Sequence, residues 1–191
     1  MVLPIYVYGS EVLRERAQEV DITAEGIAEE MKRLTEDMFE TMFKADGVGL
    51  AAPQVGKSIR VLVVDGSPLA DDMPELVNFR RAMINPVISE ESEETIEFSE
   101  GCLSIPDIHA SVVRPKKIKI SYYDPDLVKK EEELDEFACR MVQHEMDHLN
   151  GVLFTDRTAP IRKKMLQAKL NNIMAGKVKT HYKIAQAGKK K

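Results

Sequence analysis

The 191 residues, 43% of them hydrophobic, suffice for one ordinary domain with its own core. The opening MVLPIYVYGSEVLRERAQEV has no basic region ahead of its apolar residues, and no stretch is long and apolar enough to cross a bilayer. Neither a signal peptide nor a membrane span is expected, and the chain reads as a cytoplasmic protein with Cys102 and Cys139 both reduced.

The net charge of -5 hides an acidic body and a basic end: residues 1–156 carry 16 Lys and Arg against 32 Asp and Glu, residues 157–191 carry 11 against none. That asymmetry fits contact with nucleic acid or another polyanion, or a lysine-rich end folded onto an acidic body.

Ile27, Met31, Leu34, Met38 and Met42 recur at helical spacing and predict an amphipathic helix over residues 24–44, ended by Asp46-Gly47. Its methionine stripe reads as core packing. GVGLAAPQVG (47–56) follows, a run of small residues around Gln54 that points to close backbone approach but lacks the Lys-Ser/Thr of a phosphate loop. IRVLVVD (59–65) predicts a strand buried on both faces, and the polar GSPLADDMPELVNFR (66–80) predicts turns. AMINPVI (82–88), TIEFSEGCLSI (95–105) and ASVVRPKKIKISYYD (110–124) read as further strands, joined by hairpins because no helical pattern intervenes. Within them, EGCLSIP (100–106) puts Cys102 at a strand end beside a glycine, where a thiolate is accessible to a metal or substrate. Cys139 reads as a small buried hydrophobe.

LDEFACRMVQHEMDHLNG (134–151) returns to helical period, with Asp135 as N-cap and Asn150-Gly151 as stop. Phe137, Met141, His144 and His148 fall on one stripe facing the core, with Glu145 at its edge. VLFTD (152–156) predicts a short strand, and a last helix over 160–174 leads into the basic end. Histidines four apart on a helix can bind one ion at roughly 2.0–2.1 Å, and the intervening glutamate can carry a proton for water activated there. Imidazoles and a carboxylate aimed into a core are unfavourable unless they are paired or hold a metal. A third ligand is needed. Downstream only Asp156 and the distant His181 are candidates, neither placed as in zincin proteases, whereas upstream Cys102 is available.

Taken in order, GVGLAAPQ, EGCLS and QHEMDH resemble the three signature motifs of bacterial peptide deformylases, over about residues 5–160. The resemblance implies a metallohydrolase that removes the formyl group from formyl-Met N-termini of nascent peptides. Its fold would be α+β, a single domain of mostly antiparallel sheets around a central helix carrying HExxH, with N-terminal and C-terminal helices. Residues 1–175 would form the domain and 176–191 a basic, flexible tail. The resemblance further implies that Cys102, His144 and His148 bind the metal, that Glu145 is general base and then general acid, and that Gln54 with the backbone N–H of Leu103 stabilises the oxyanion. It places Val48, Phe137, Arg140 and Met141 around the methionine pocket and Gly49 beside the extended peptide. Many relatives carry an aliphatic residue at the position of Arg140, so its stem is expected to line the pocket and its head to reach solvent. One Fe(II) per chain is implied, with Zn(II) or Ni(II) as substitutes, and ribosome contact through the basic C-terminal region. The competing readings are another HExxH hydrolase, such as a peptidase, and a non-enzymatic module stabilised by its metal.

Overall fold

The computed structural model, which describes residues 1–185, runs from β1 (Ile5–Tyr6) into α1 (Ile27–Lys44), then through β2 (Gly49–Ala51), β3 (Val61–Asp65), β4 (Arg80–Glu91), β5 (Thr95–Cys102), β6 (Ile105–Pro115), β7 (Lys117–Tyr123) and β8 (Lys129–Asp135). It continues into α2 (Glu136–Leu149), α3 (Pro160–Met174) and β9 (Ile184–Ala185). Five strands form one antiparallel sheet in the order β2-β3-β4-β7-β8, β5 and β6 form a separate hairpin, and β1 pairs with β9 in parallel. The fold is therefore α+β, as expected.

All five residues of β3 are buried, because helices cover both faces of the sheet there. Val61 and Val63 pack with the α1 stripe of Met31, Leu34, Met38 and Met42, while Leu62 and Val64 pack with Met141, Val142, Met146 and Leu149 of α2. The period-2 alternation of a strand thus separates two cores across one sheet. A third core joins β6 to α3 through Ile105, Ile108, Val112, Leu166, Leu170 and Ile173. These cores hold α2 between the sheet and the hairpin, and so bring His144 and His148 to the end of β5.

β8 is the strand that composition conceals. KKEEELD reads as helix-forming and solvated, yet it lies at the edge of the sheet, where Lys119 of β7 stands opposite Glu133 and reaches Glu131 at 3.3 Å. Charge on an edge strand also discourages pairing with other chains. The predicted strand at VLFTD is instead a 3-10 turn over Phe154–Asp156, closed by the Leu153 N–H donating to the Asp156 carboxylate at 2.9 Å. Asp135 stands at the N-cap of α2 without a side-chain capping bond. Gly151 ends the segment after α2 at φ +73°, and a Cβ there would lie 2.5 Å from the Arg14 carbonyl oxygen, so both backbone shape and space demand glycine.

After α3 the chain turns at Gly176 and comes back along the body. Residues 177–185, which the sequence reading assigns to a flexible tail, lie against it: Val178 and Ile184 pack on the third core, and the Ile5 N–H donates to the Lys183 carbonyl at 2.9 Å. The rest of that expected tail, residues 186–191, lies outside the described residues. Among the described residues no helix is long and apolar enough to cross a membrane.

Candidate metal centre and active-site cleft

His144 and His148 lie one turn apart on α2 with ring centroids 5.2 Å apart, and Cys102 meets them from the last position of β5. One ligand atom from each residue falls within 4.8 Å of the others, and Cys102 Sγ is 3.3 Å from His148 Nε2. His144 Nδ1 is 2.8 Å from Glu100 Oε1, so the ring donates to that carboxylate and leaves Nε2 for a metal.

Glu100 is held in turn. Arg114 donates to both its oxygens at 2.7 and 2.9 Å, and Arg140 adds a third bond at 2.5 Å. Burial alone would favour the neutral acid, but the bonds from Arg114 and His144 hold this carboxyl well below the usual range. The same Arg114 donates to Asp147 at 2.8 Å, and Arg157 clamps Asp147 from outside at 2.5 and 2.7 Å.

The two histidines are driven apart. Burial opposes charge on His144, yet hydrogen bonds to Cys102 and Glu100 lift it well above an ordinary imidazole. His148 is pushed well below by burial and by His144 beside it. His148 is thus held neutral, with a lone pair free for a metal. A thiolate and two imidazole nitrogens form a donor set suited to a first-row divalent metal, so the residues present fit one.

Glu145 is 4% exposed, and its Oε2 has no partner among the described residues. Burial pushes its carboxyl up to about 7, against the pull of His144. Gly49 lies so close that a Cβ there would collide with Glu145 Oε1, which is the close approach the small-residue run suggests. Gln54, 1% exposed, sits in a 3-10 turn over Ala52–Val55. Its carbonyl accepts from the Ala51 N–H at 2.9 Å, which turns its NH2 toward Ser104 Oγ at 3.1 Å and Cys102 Sγ at 3.6 Å. Leu103 occupies the turn between β5 and β6.

These side chains border one cleft of about 460 Å³, whose wall also includes Val48, Gly49, Phe137, Arg140 and Met141. His148 lies beneath the wall, 1% exposed. Arg140 departs from expectation. It is 3% exposed, and its guanidinium binds Glu100 and the Ile96 and Val112 carbonyls at 2.6 and 2.9 Å. Its head stays inside because the Glu100 carboxylate needs a second cation more than the arginine needs water. The sequence reading missed Glu100 and Arg114 as functional partners. The signal was strand parity: Ile96, Phe98, Glu100 and Cys102 share one face of β5, and Arg114 follows Ile108, Ala110 and Val112 on the inward face of β6.

A family model described as polypeptide deformylase matches residues 2–164. The chain belongs to the polypeptide deformylase family. It is similar to the peptide deformylase of Salinibacter ruber, at 45% identity over 95% of this chain and 93% of the relative. It is also similar to that of Christiangramia forsetii, at 41% over 100% and 99%. Among solved structures, the Thermotoga maritima peptide deformylase superposes with a TM-score of 0.74 at 44% identity, covering 84% of this chain and 99% of that one. A Plasmodium falciparum peptide deformylase gives 0.80 at 38%, over 90% and 95%. The peptidase and binding-module readings give way to this family, in which the Cys102, His144 and His148 cluster is the metal site.

Proposed function

We propose that the chain hydrolyses the N-formyl group of formyl-Met N-termini of nascent peptides, releasing formate and a free amine. The observation that carries this reading is the uncommitted Glu145 carboxylate oxygen in one cleft with Cys102 and His144, whose ligand cluster His148 completes from beneath the wall. A divalent ion held by those three side chains would polarise the formyl oxygen and acidify water; Fe(II) is the proposed ion, with Zn(II) or Ni(II) as substitutes.

Glu145 takes the proton of the water that attacks the formyl carbon. A carboxyl that burial lifts to about 7 can both accept a proton and return it near neutrality. The Gln54 NH2 and the Leu103 backbone N–H donate to the formyl oxygen as it gains charge; one such donor is typically worth ~2.7–4 kcal/mol in the transition state. Glu145 then hands its proton to the amine nitrogen as the C–N bond breaks. Val48, Phe137 and Met141 supply apolar walls for the methionine side chain, and Arg140, neutralised by Glu100, adds its stem. The peptide pairs along the edge of β2 that β3 leaves free.

The test is formate release from a formyl-Met peptide by protein purified without oxygen, beside an acetyl-Met control, with metal measured on the same sample. Formate from the formyl peptide alone, with about one ion per chain, is expected. A filled site that releases none overturns the reading.

We also propose that the basic end meets the ribosome, close to emerging chains. Arg162, Lys164 and Lys169 are exposed on α3, and no acidic residue follows Asp156 to offset them. Co-sedimentation with ribosomes should weaken as salt rises and should fall when these three are changed to Glu. Unaltered binding by that variant removes α3 from the contact.

A further inference from the structure

Beyond Gly176 the chain crosses the mouth of the cleft. Lys179, Thr180, His181 and Tyr182 belong to the same wall as Cys102, His144 and Glu145, although they come from the segment after the last helix. Three ties fix this strap. The Tyr182 hydroxyl donates to the Leu103 carbonyl at 2.7 Å, His181 Nε2 lies 3.1 Å from Asp46 Oδ2 across the rim, and β9 pairs with β1 just beyond. Val178 and Ile184 anchor its two ends in the third core, and the Thr180 hydroxyl closes the turn between them on the Tyr182 carbonyl at 2.6 Å.

The Leu103 carbonyl thereby already accepts one bond from the chain itself, and the unpaired edge of β2 faces the cleft from the other side. An extended peptide advances about 3.3 Å per residue. If its first residue fills the deep end beside Glu145, its second and third pass the strap on their way out. There they meet the half-buried Tyr182 ring and the more exposed His181 imidazole, whose planes stand at 89° with centroids 5.2 Å apart. Two aromatic faces at right angles form a corner suited to a peptide's apolar side chain and backbone.

We infer that His181 and Tyr182 form an outer subsite that holds the second and third residues of the peptide substrate. The inference rests on the deformylase reading and extends it to substrate length: peptides of three or more residues gain from this corner, and formyl-methioninamide, which ends before it, does not.

The experiment compares kcat/KM for a formyl-Met-Ala-Ser peptide and for formyl-methioninamide, on the full chain loaded with metal. In His181→Ala and Tyr182→Ala the ratio of tripeptide to amide should fall roughly three- to tenfold, mainly through KM, as expected for losing one aromatic contact. Tyr182→Phe keeps the ring and should retain most of the ratio. A ratio unchanged in both Ala variants, or one that rises because the strap obstructs the mouth, overturns the outer subsite. An unmodified protein that releases no formate from either substrate removes the deformylase reading itself, whereas formate with an unmoved ratio removes only the subsite.

Discussion

Two carboxylates at the metal centre are within reach of the same histidine yet live under opposite rules. Glu100, on β5, receives bonds from Arg114, Arg140 and His144, and its charge is locked in place. Glu145, on α2, is equally buried but has an oxygen with no partner among the described residues, and burial lifts its pKa to about 7. A buried carboxylate with all its bonds made is a piece of scaffold that orients others. One with a bond withheld is destabilised as an ion and is available for reaction, and a fold retains such a group only where the surroundings force it.

The sharpest way to break the contrast is Glu145→Gln. The exchange removes proton transfer and leaves shape, so turnover should fall by ~10²- to 10⁴-fold while metal content and melting temperature hold. A protein that loses its metal or unfolds would show instead that Glu145 belongs to the scaffold and that the contrast with Glu100 is false.

Glu100→Gln should do the reverse. It leaves Arg114 and Arg140, each 3% exposed, without their common counter-charge, and truncating one side of such a buried ion pair typically costs ~3–5 kcal/mol. It also loosens the hold on His144, so metal affinity measured by chelator competition should drop by ~10- to 100-fold. Stability and affinity both near the parent value would mean that Asp147 alone carries Arg114.

How far these roles could be read from sequence follows from the same physics. The metal ligands were legible because helical spacing places His144 and His148 on one face, and a short motif supplies Cys102. The α1 stripe and the doubly buried β3 were legible by period. Glu100 was visible in principle as a charged residue on the inward parity of a strand, but parity alone does not say that Arg114 and Arg140 converge on it from another strand and a helix. The burial of Arg140 follows from that convergence, so its expected reach to solvent failed together with it. β8 was hidden because lysine and glutamate favour helices, whereas its pairing depends on the β7 lysines opposite. The strap was hidden for a different reason: its anchors are two apolar side chains, Val178 and Ile184, the Tyr182 hydroxyl, the His181–Asp46 contact and a two-residue pairing with β1, too scattered for any periodicity, and lysines surround them.

The smallest effect concerns sign. Asp156 accepts from Arg14, Lys163 and the Leu153 N–H at 2.5, 2.9 and 2.9 Å, and although burial raises its pKa, these bonds hold it at about 2 against an ordinary 3.8. Its folded pKa is depressed, so its contribution is present above 3.8 and disappears as pH falls through about 2. Glu145 is raised from 4.5 to about 7 and has the opposite sign: the folded state is favoured below 4.5, and that contribution is lost as pH rises through about 7. Urea unfolding of the parent and of Asp156→Asn from about pH 5 down to about pH 2 should therefore show a modest gap, under ~1 kcal/mol for ion pairs this exposed, that closes toward the acid end. The matching comparison with Glu145→Gln, on protein stripped of metal, should show the parent losing ground to the variant toward neutral pH. A gap at Asp156 that persists at about pH 2 would place its stabilisation in shape and packing, because a bonded carboxylate must lose its advantage once it is protonated.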